Sequence, residues 1–93
     1  MAANTGFVAL DFGSTPGTNV ATTSVTGQTS ITTSSYAEAF LMGDSTTTHN
    51  AYEHMIVPLE IRCTQPSAGT GFDIWGSSDL RLTGKFTVRW VWV

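Results

Sequence analysis

The chain ends in KFTVRWVWV, Lys85 to Val93, and this closing stretch restricts the fold more than any other. Successive side chains of an extended strand point to opposite sides. Phe86, Val88, Trp90 and Trp92 therefore share one face, and Thr87, Arg89, Val91 and Val93 the other. The first set is the core face. Each indole carries roughly 150–250 Å², so two left in water would expose about 400 Å², close to the largest patch a monomer tolerates. A second layer has to cover them. The opposite face is also apolar at its end, at Val91 and Val93, and one small domain has a single core between its layers. Two coverings fit: further copies whose valines line a shared seam, with Arg89 pairing to a neighbour's carboxylate, or a loop of the same chain such as 43–53.

The rest of the chain reads as strands to match. No window of eleven residues keeps the i, i+3, i+4, i+7 apolar spacing of a helix, and β-branched residues dominate. Residues 6–12 alternate, with Val8, Leu10 and Phe12 on one side and Phe7, Ala9 and Asp11 on the other. GSTPG then predicts a type II turn, Pro16 fixing φ and Gly17 accepting a positive φ. No charged side chain lies between Phe12 and Ala37. The Thr-rich stretch there predicts strands near 19–26 and 28–34 hinged at Thr26-Gly27, the competing reading being a Ser/Thr tether. Residues 36–42, YAEAFLM, suit a short helix by composition and a strand by alternation, and their strand-like neighbours favour the strand. GDSTTTHNAYEH, residues 43–54, is the longest polar connection and the best place for a helical turn or a functional loop.

His54 to Thr64 alternates as a long strand, with Pro58 confining it to an edge or a bulge. A loop at TQPSAGTG, a strand Phe72–Trp75, a GSSD turn, a strand Leu80–Leu82 and the closing strand complete the pattern. Seven or so short strands with few or no helices predict an all-β fold, a single antiparallel β-sandwich over residues 1–93, jelly-roll-like.

Ninety-three residues allow one core. Only 12% of them are charged, while Thr and Ser number 16 and 9, so the surface is made largely of hydroxyls. A net charge of −3, with the four basic residues interleaved with Asp73 and Asp79, argues against nucleic acid as a partner. The opening MAANTGFVAL has neither the basic nor the long apolar region of a signal peptide, and nothing approaches membrane-spanning length. Synthesis in a cytoplasm without a signal peptide, and no membrane insertion, are the expectations. The single cysteine, Cys63, falls in the alternation Met55, Val57, Leu59, Ile61, Cys63 and reads as a small buried hydrophobe.

Chemistry-bearing residue types cluster once, at Asp44, His49, Glu53 and His54. Five residues apart, the two histidines lie about 140° apart around a helix and on opposite faces of a strand, so only a loop would aim both at one ion. Glu53 beside His54 is also a candidate pH-sensing pair. The carboxylates Glu38, Glu60, Asp73 and Asp79 are dispersed, Glu60 and Arg62 suit a cross-strand ion pair, and no G-x-S-x-G is present. The expectation is no enzyme, with no catalytic, cofactor-binding or metal-ligating residue assigned. His49, Tyr52 and His54 join Arg89, Val91 and Val93 as candidate contacts with another copy or a partner. A second reading is a carbohydrate-binding module, in which Trp75, Tyr52 or Tyr36 stacks on a sugar and Asp73 or Asp79 takes its hydroxyls.

Two resemblances add to this. Gly71-Phe72-Asp73-Ile74, a turn and a closing strand with Val88-Arg89-Trp90 resemble the C-terminal half of H-type lectin domains, over about 25 residues. That resemblance implies a six-stranded sandwich assembled as a trimer; the positions that bind amino sugars in that family have no residue-by-residue match here. DFGSTPGTNVA, VTGQ followed by Ile31, EAFLM and HNAYEHMIVP together look like small virion structural proteins of tailed bacteriophages, over most of the chain. The implied role is a homotrimeric capsid decoration (cement) protein or a tail-tip or fibre component in the virion, with itself, capsid or tail proteins and surface glycans as partners.

Overall fold

A computed structural model describes residues 4–93. Six strands and one short helix follow in the order β1 (Asn4–Asp11), β2 (Thr18–Val25), β3 (Ala37–Phe40), α1 (Ala51–Ile56), β4 (Glu60–Cys63), β5 (Phe72–Leu82) and β6 (Lys85–Trp92). They form two three-stranded antiparallel sheets, β1-β6-β3 and β2-β5-β4, packed face to face as a small β-sandwich. The longest strand, β5, and the two-indole strand, β6, each take the central place in a sheet, where both flanks can be paired. No helix among the described residues is long and apolar enough to cross a membrane.

The period-two alternation of β6 decides where the core lies. Phe86, Val88, Trp90 and Trp92 are all buried, and they meet Leu10 of β1, Ala21 and Val25 of β2, and Phe72 and Ile74 of β5. Phe72 stands edge-on to Trp90 at 5.8 Å between ring centroids, an aromatic contact that links the two central strands. Gly6 lies opposite Trp90 on the inner face. A methyl group there would overlap the indole ring, so the bare backbone is what lets Trp90 lie against β1. The Trp90 Nε1–H is buried with no hydrogen-bond partner among the described residues, whereas Trp92 Nε1 donates to Gln28 Oε1 at 2.9 Å.

Four expectations need correction. Residues 28–34 are turns rather than a strand: Ile31 N–H donates to Gln28 O, Ser35 N–H to Thr32 O, and the Thr32 and Ser35 hydroxyls take local backbone amides. Dense hydroxyls satisfy their own backbone here and so compete with a ladder, while Ile31 alone drops into the core. The long strand from His54 is replaced by α1 through Ile56 and a strand that begins only at Glu60, with Pro58 in the connection. GSSD is not a turn: β5 runs through it, and the mismatch is absorbed as an irregularity in which β2 steps from Val20 to Thr18 while β5 steps from Ser77 to Leu82. In GSTPG, Gly17 has the positive φ expected, +77°, but its N–H donates to Ser14 O, which makes Pro16 the third residue of the turn rather than the second.

Candidate functional site

Two surfaces collect the candidate residues, one on each sheet. On the first sheet β3 is too short for its neighbour: Ala37 to Phe40 pair with Trp92 to Arg89, which leaves Lys85 to Val88 without a strand on that flank. The segment 43–56 fills the gap with side chains. Thr48 Oγ1 accepts from Lys85 N–H at 2.8 Å, Thr46 Oγ1 donates to Lys85 O at 2.8 Å, and His54 Nε2 accepts from Thr87 N–H at 2.9 Å. Backbone groups that would otherwise be orphaned are thereby paired.

The helix that delivers His54 is set by its cap. Asn50 Oδ1 accepts from Glu53 N–H and Glu53 Oε1 accepts from Asn50 N–H, both at 2.9 Å, a reciprocal capping box. Because the amide of Thr87 can only donate, His54 Nε2 is the unprotonated nitrogen, and Nδ1–H donates to Asn50 O at 2.9 Å. His49 faces two acceptors instead, Thr83 O at Nε2 and Glu53 Oε2 at Nδ1. The two imidazoles enclose Phe86, His49 stacked at 4.0 Å between centroids and His54 edge-on at 5.2 Å. The backbone bond from Asn50, and then the His49 bond, hold the Glu53 carboxyl below its ordinary range.

Arg89 does not await a neighbour's carboxylate. Asp44 of the same chain takes it bidentately, Nε to Oδ2 at 2.7 Å and Nη2 to Oδ1 at 3.1 Å. Foremost through that bond the Asp44 carboxyl sits below its usual value and the Arg89 guanidinium above its own. The guanidinium also lies over the Phe7 ring, 5.0 Å from its centroid. His54, 2% exposed, lies behind the surface rather than on it, and Glu53 is bonded to His49, not to its sequence neighbour. The Asp44, His49, Glu53, His54 cluster therefore holds the 43–56 segment in place. Among the described residues no group of three or more His, Cys, Asp or Glu is placed to hold a metal ion. Cys63 is half-buried against the core and its thiol is pushed up, by burial first and by Glu38 second, which disfavours the reactive thiolate.

Outside this frame the first sheet carries several exposed apolar side chains. Phe7, Arg89 and Phe40 lie side by side across β1, β6 and β3, and Val91 is flanked by Thr5 and Glu38 in the next row. Val91 is half-buried, and Val93 is 56% exposed although its backbone pairs with Tyr36. Phe40 continues into Met42 and Met55, which with Val57, Leu59 and Ile61 line an open groove of 590 Å³ at the seam between the sheets. Tyr52, Met55 and Ile56 occupy one side of α1 and are all exposed. The sequence singled out Tyr52, Val91 and Val93 but passed over Phe7, Phe40, Met42 and Met55. The signal was available: apolar residues on both faces of β1 and β3, the same pattern that marked β6.

On the second sheet the outer face is mostly polar around one indole, with Val20 as an exposed aliphatic residue in a neighbouring row. Thr22, Trp75 and Arg62 lie in one cross-strand row. In the next, Ser24 Oγ donates to Asp73 Oδ1 at 2.7 Å, and Thr64 brackets the Asp73 backbone. Asp79 stands apart, beside a hollow lined by Pro58, Leu59, Glu60, Ser77 and Ser78, and Tyr52 belongs to α1 on the first sheet, so neither joins Trp75 and Asp73. Comparison with protein-family models, curated proteins and solved structures gave no match.

Proposed function

We propose that this chain is a non-enzymatic structural protein that works by associating, through the outer face of its first sheet, with further copies of itself. One observation carries the reading: Phe7 and Phe40, which flank Arg89, and Met42 and Met55, which continue from Phe40 into the groove at the seam, are 64, 43, 49 and 70% exposed. Side chains of this size leave about 400 Å² of apolar surface in water, the scale at which a patch on a soluble domain is functional. A standard interface takes about 800 Å² per partner, so the patch with its Tyr52 and Val91 margin supplies the apolar centre of one. The ion pair at its middle is already satisfied within the chain and can be covered without leaving a buried unpaired charge.

The resemblance to lectin-type sandwiches supports a homotrimer as the form of this assembly, and the resemblance to small phage structural proteins supports a role in a virion, as a capsid decoration protein or as a tail-tip or fibre component beside capsid or tail proteins. Sedimentation at micromolar concentration tests the association. A species near three times 9.9 kDa is expected for the native chain, and Phe40→Ser with Met55→Gln should weaken association at least tenfold while the circular dichroism spectrum stays the same. A native chain that sediments as a single copy at every concentration up to 100 μM overturns the reading.

A further inference from the structure

The second sheet faces solvent with a different chemistry, and we infer that Trp75, with Thr22, Arg62, Asp73 and Ser24, forms a carbohydrate platform that stacks one pyranose ring. Trp75 lies in the middle strand of its sheet, where both flanks are paired, yet it points away from the core and is 48% exposed. Nothing in the sandwich needs a large apolar ring at that position. Its neighbours are mostly hydrogen-bonding groups: Thr22 and Arg62 flank it in register, Asp73 lies two residues away on the same side, about 7 Å along the strand, and the row beyond holds Ser77 and Glu60 with one exposed aliphatic residue, Val20.

A protein partner covering this face would have to desolvate those groups around a single ring, at a cost for each one left unpaired. A sugar ring matches it without that cost. Its C–H face is apolar and covers the indole, and its rim of hydroxyls reaches donors and acceptors at the edge. Those groups are set to receive it. The Ser24 hydroxyl fixes Asp73 by one oxygen, and Oδ2 has no partner among the described residues. Arg62 meets Glu60 only at 3.8 Å with both side chains exposed, so its planar donors remain open to a ligand. A nucleic acid, the other ligand that stacks on indoles, would meet one arginine and a carboxylate on a chain of net charge −3. The site is separate from the associating face and does not depend on it; several copies in one assembly would add avidity to a weak single contact.

Nuclear magnetic resonance tests the proposal on the intact chain. Methyl glycosides of the common hexoses and N-acetylhexosamines are titrated while the Trp75 indole and the backbone amides are followed, with a glycan array read in parallel. Saturable shifts at the Trp75 indole and at Thr22, Arg62 and Asp73 are expected for one or a few of these sugars, with dissociation constants of the order of 1 mM. Trp75→Ala should weaken binding at least tenfold, and Asp73→Asn and Arg62→Gln, which remove only exposed groups, several-fold. Should Trp75→Ala fail to fold, Trp75→Phe keeps a smaller ring and should give an intermediate loss. None of these variants should alter sedimentation, which separates this site from the associating face. Silence of the Trp75 indole towards every glycoside and every array glycan overturns the proposal, as do shifts confined to α1, or undiminished binding by the Asp73→Asn, Arg62→Gln double variant.

Discussion

On the outside of the first sheet a central row reads Phe7, Arg89, Phe40; on the outside of the second the corresponding row reads Thr22, Trp75, Arg62. Each has a cation and an aromatic ring, but their settings are opposite. Arg89 is locked by Asp44 between the exposed rings of Phe7 and Phe40, whereas Trp75 is the one aromatic ring on a mostly polar face and Arg62 has only a loose partner. Inward, the two sheets are alike, packed with the same kinds of aliphatic and aromatic groups. Folding requires only those inner faces, so the divergence of the outer ones reflects what each sheet meets after folding.

The largest test separates inner from outer faces. Ile74, fully buried, and Thr22, opposite Trp75 on the outer side, belong to the same pair of strands. Ile74→Ala should cost about 2–5 kcal/mol through lost transfer energy and a cavity, and Thr22→Ala about 0.5 kcal/mol or less, both read from urea unfolding midpoints. Comparable losses would mean that the second sheet's outer face is structural after all. Next in size is the device that exists only on the first sheet. His54→Leu keeps bulk against Phe86 but leaves the Thr87 amide without its acceptor, at a cost of about 1–3 kcal/mol, and hydrogen exchange at Thr87 should accelerate more than at Ile74. Equal acceleration at both would make His54 a filler of volume rather than an acceptor.

The smallest effect is the acid one. Asp44 and Glu53 have folded-state values below their ordinary 3.8 and 4.5. The unfolded chain therefore takes protons more readily, and the contribution of these groups is complete above those ordinary values and lost as pH falls through the lowered folded ones. Both carboxyls are near the surface, so the loss is modest. Asp44→Asn with Glu53→Gln should lower stability at pH 7 slightly and flatten its fall below pH 4.5 in thermal melts, and an unchanged slope would remove these carboxylates from the account.

Period two is a local property, and what depends on it was legible. The inward set of β6 and the division of β1 into Val8, Leu10 and Phe12 against Phe7 and Ala9 follow from counting alone. The all-β class follows from the same count. Where the same alternation ran on past its cause, it misled: Met55, Val57, Leu59, Ile61 and Cys63 continue one pattern across a helix, a proline and a strand. The helix had its own signal, Asn50 followed three residues later by Glu53. The hydroxyls of 28–35 gave none, because Ser and Thr suit strands and self-bonded turns alike. Sites divide the same way. Trp75 and Asp73 could be picked out by residue type and fall on one strand face, but Tyr52 and Asp79 had the right type in the wrong place, and the Asp44–Arg89 pair joins residues too distant in sequence for any local pattern to couple.

Stacking of sheets into fibrils begins where a row of main-chain donors and acceptors stands open to a passing chain. Along Lys85 to Thr87 that row is occupied by two threonine hydroxyls and an imidazole, groups that end the ladder and offer no continuation of it. That flank of the strand bearing two of the core indoles is thus closed to an added strand, without spending another strand on the task.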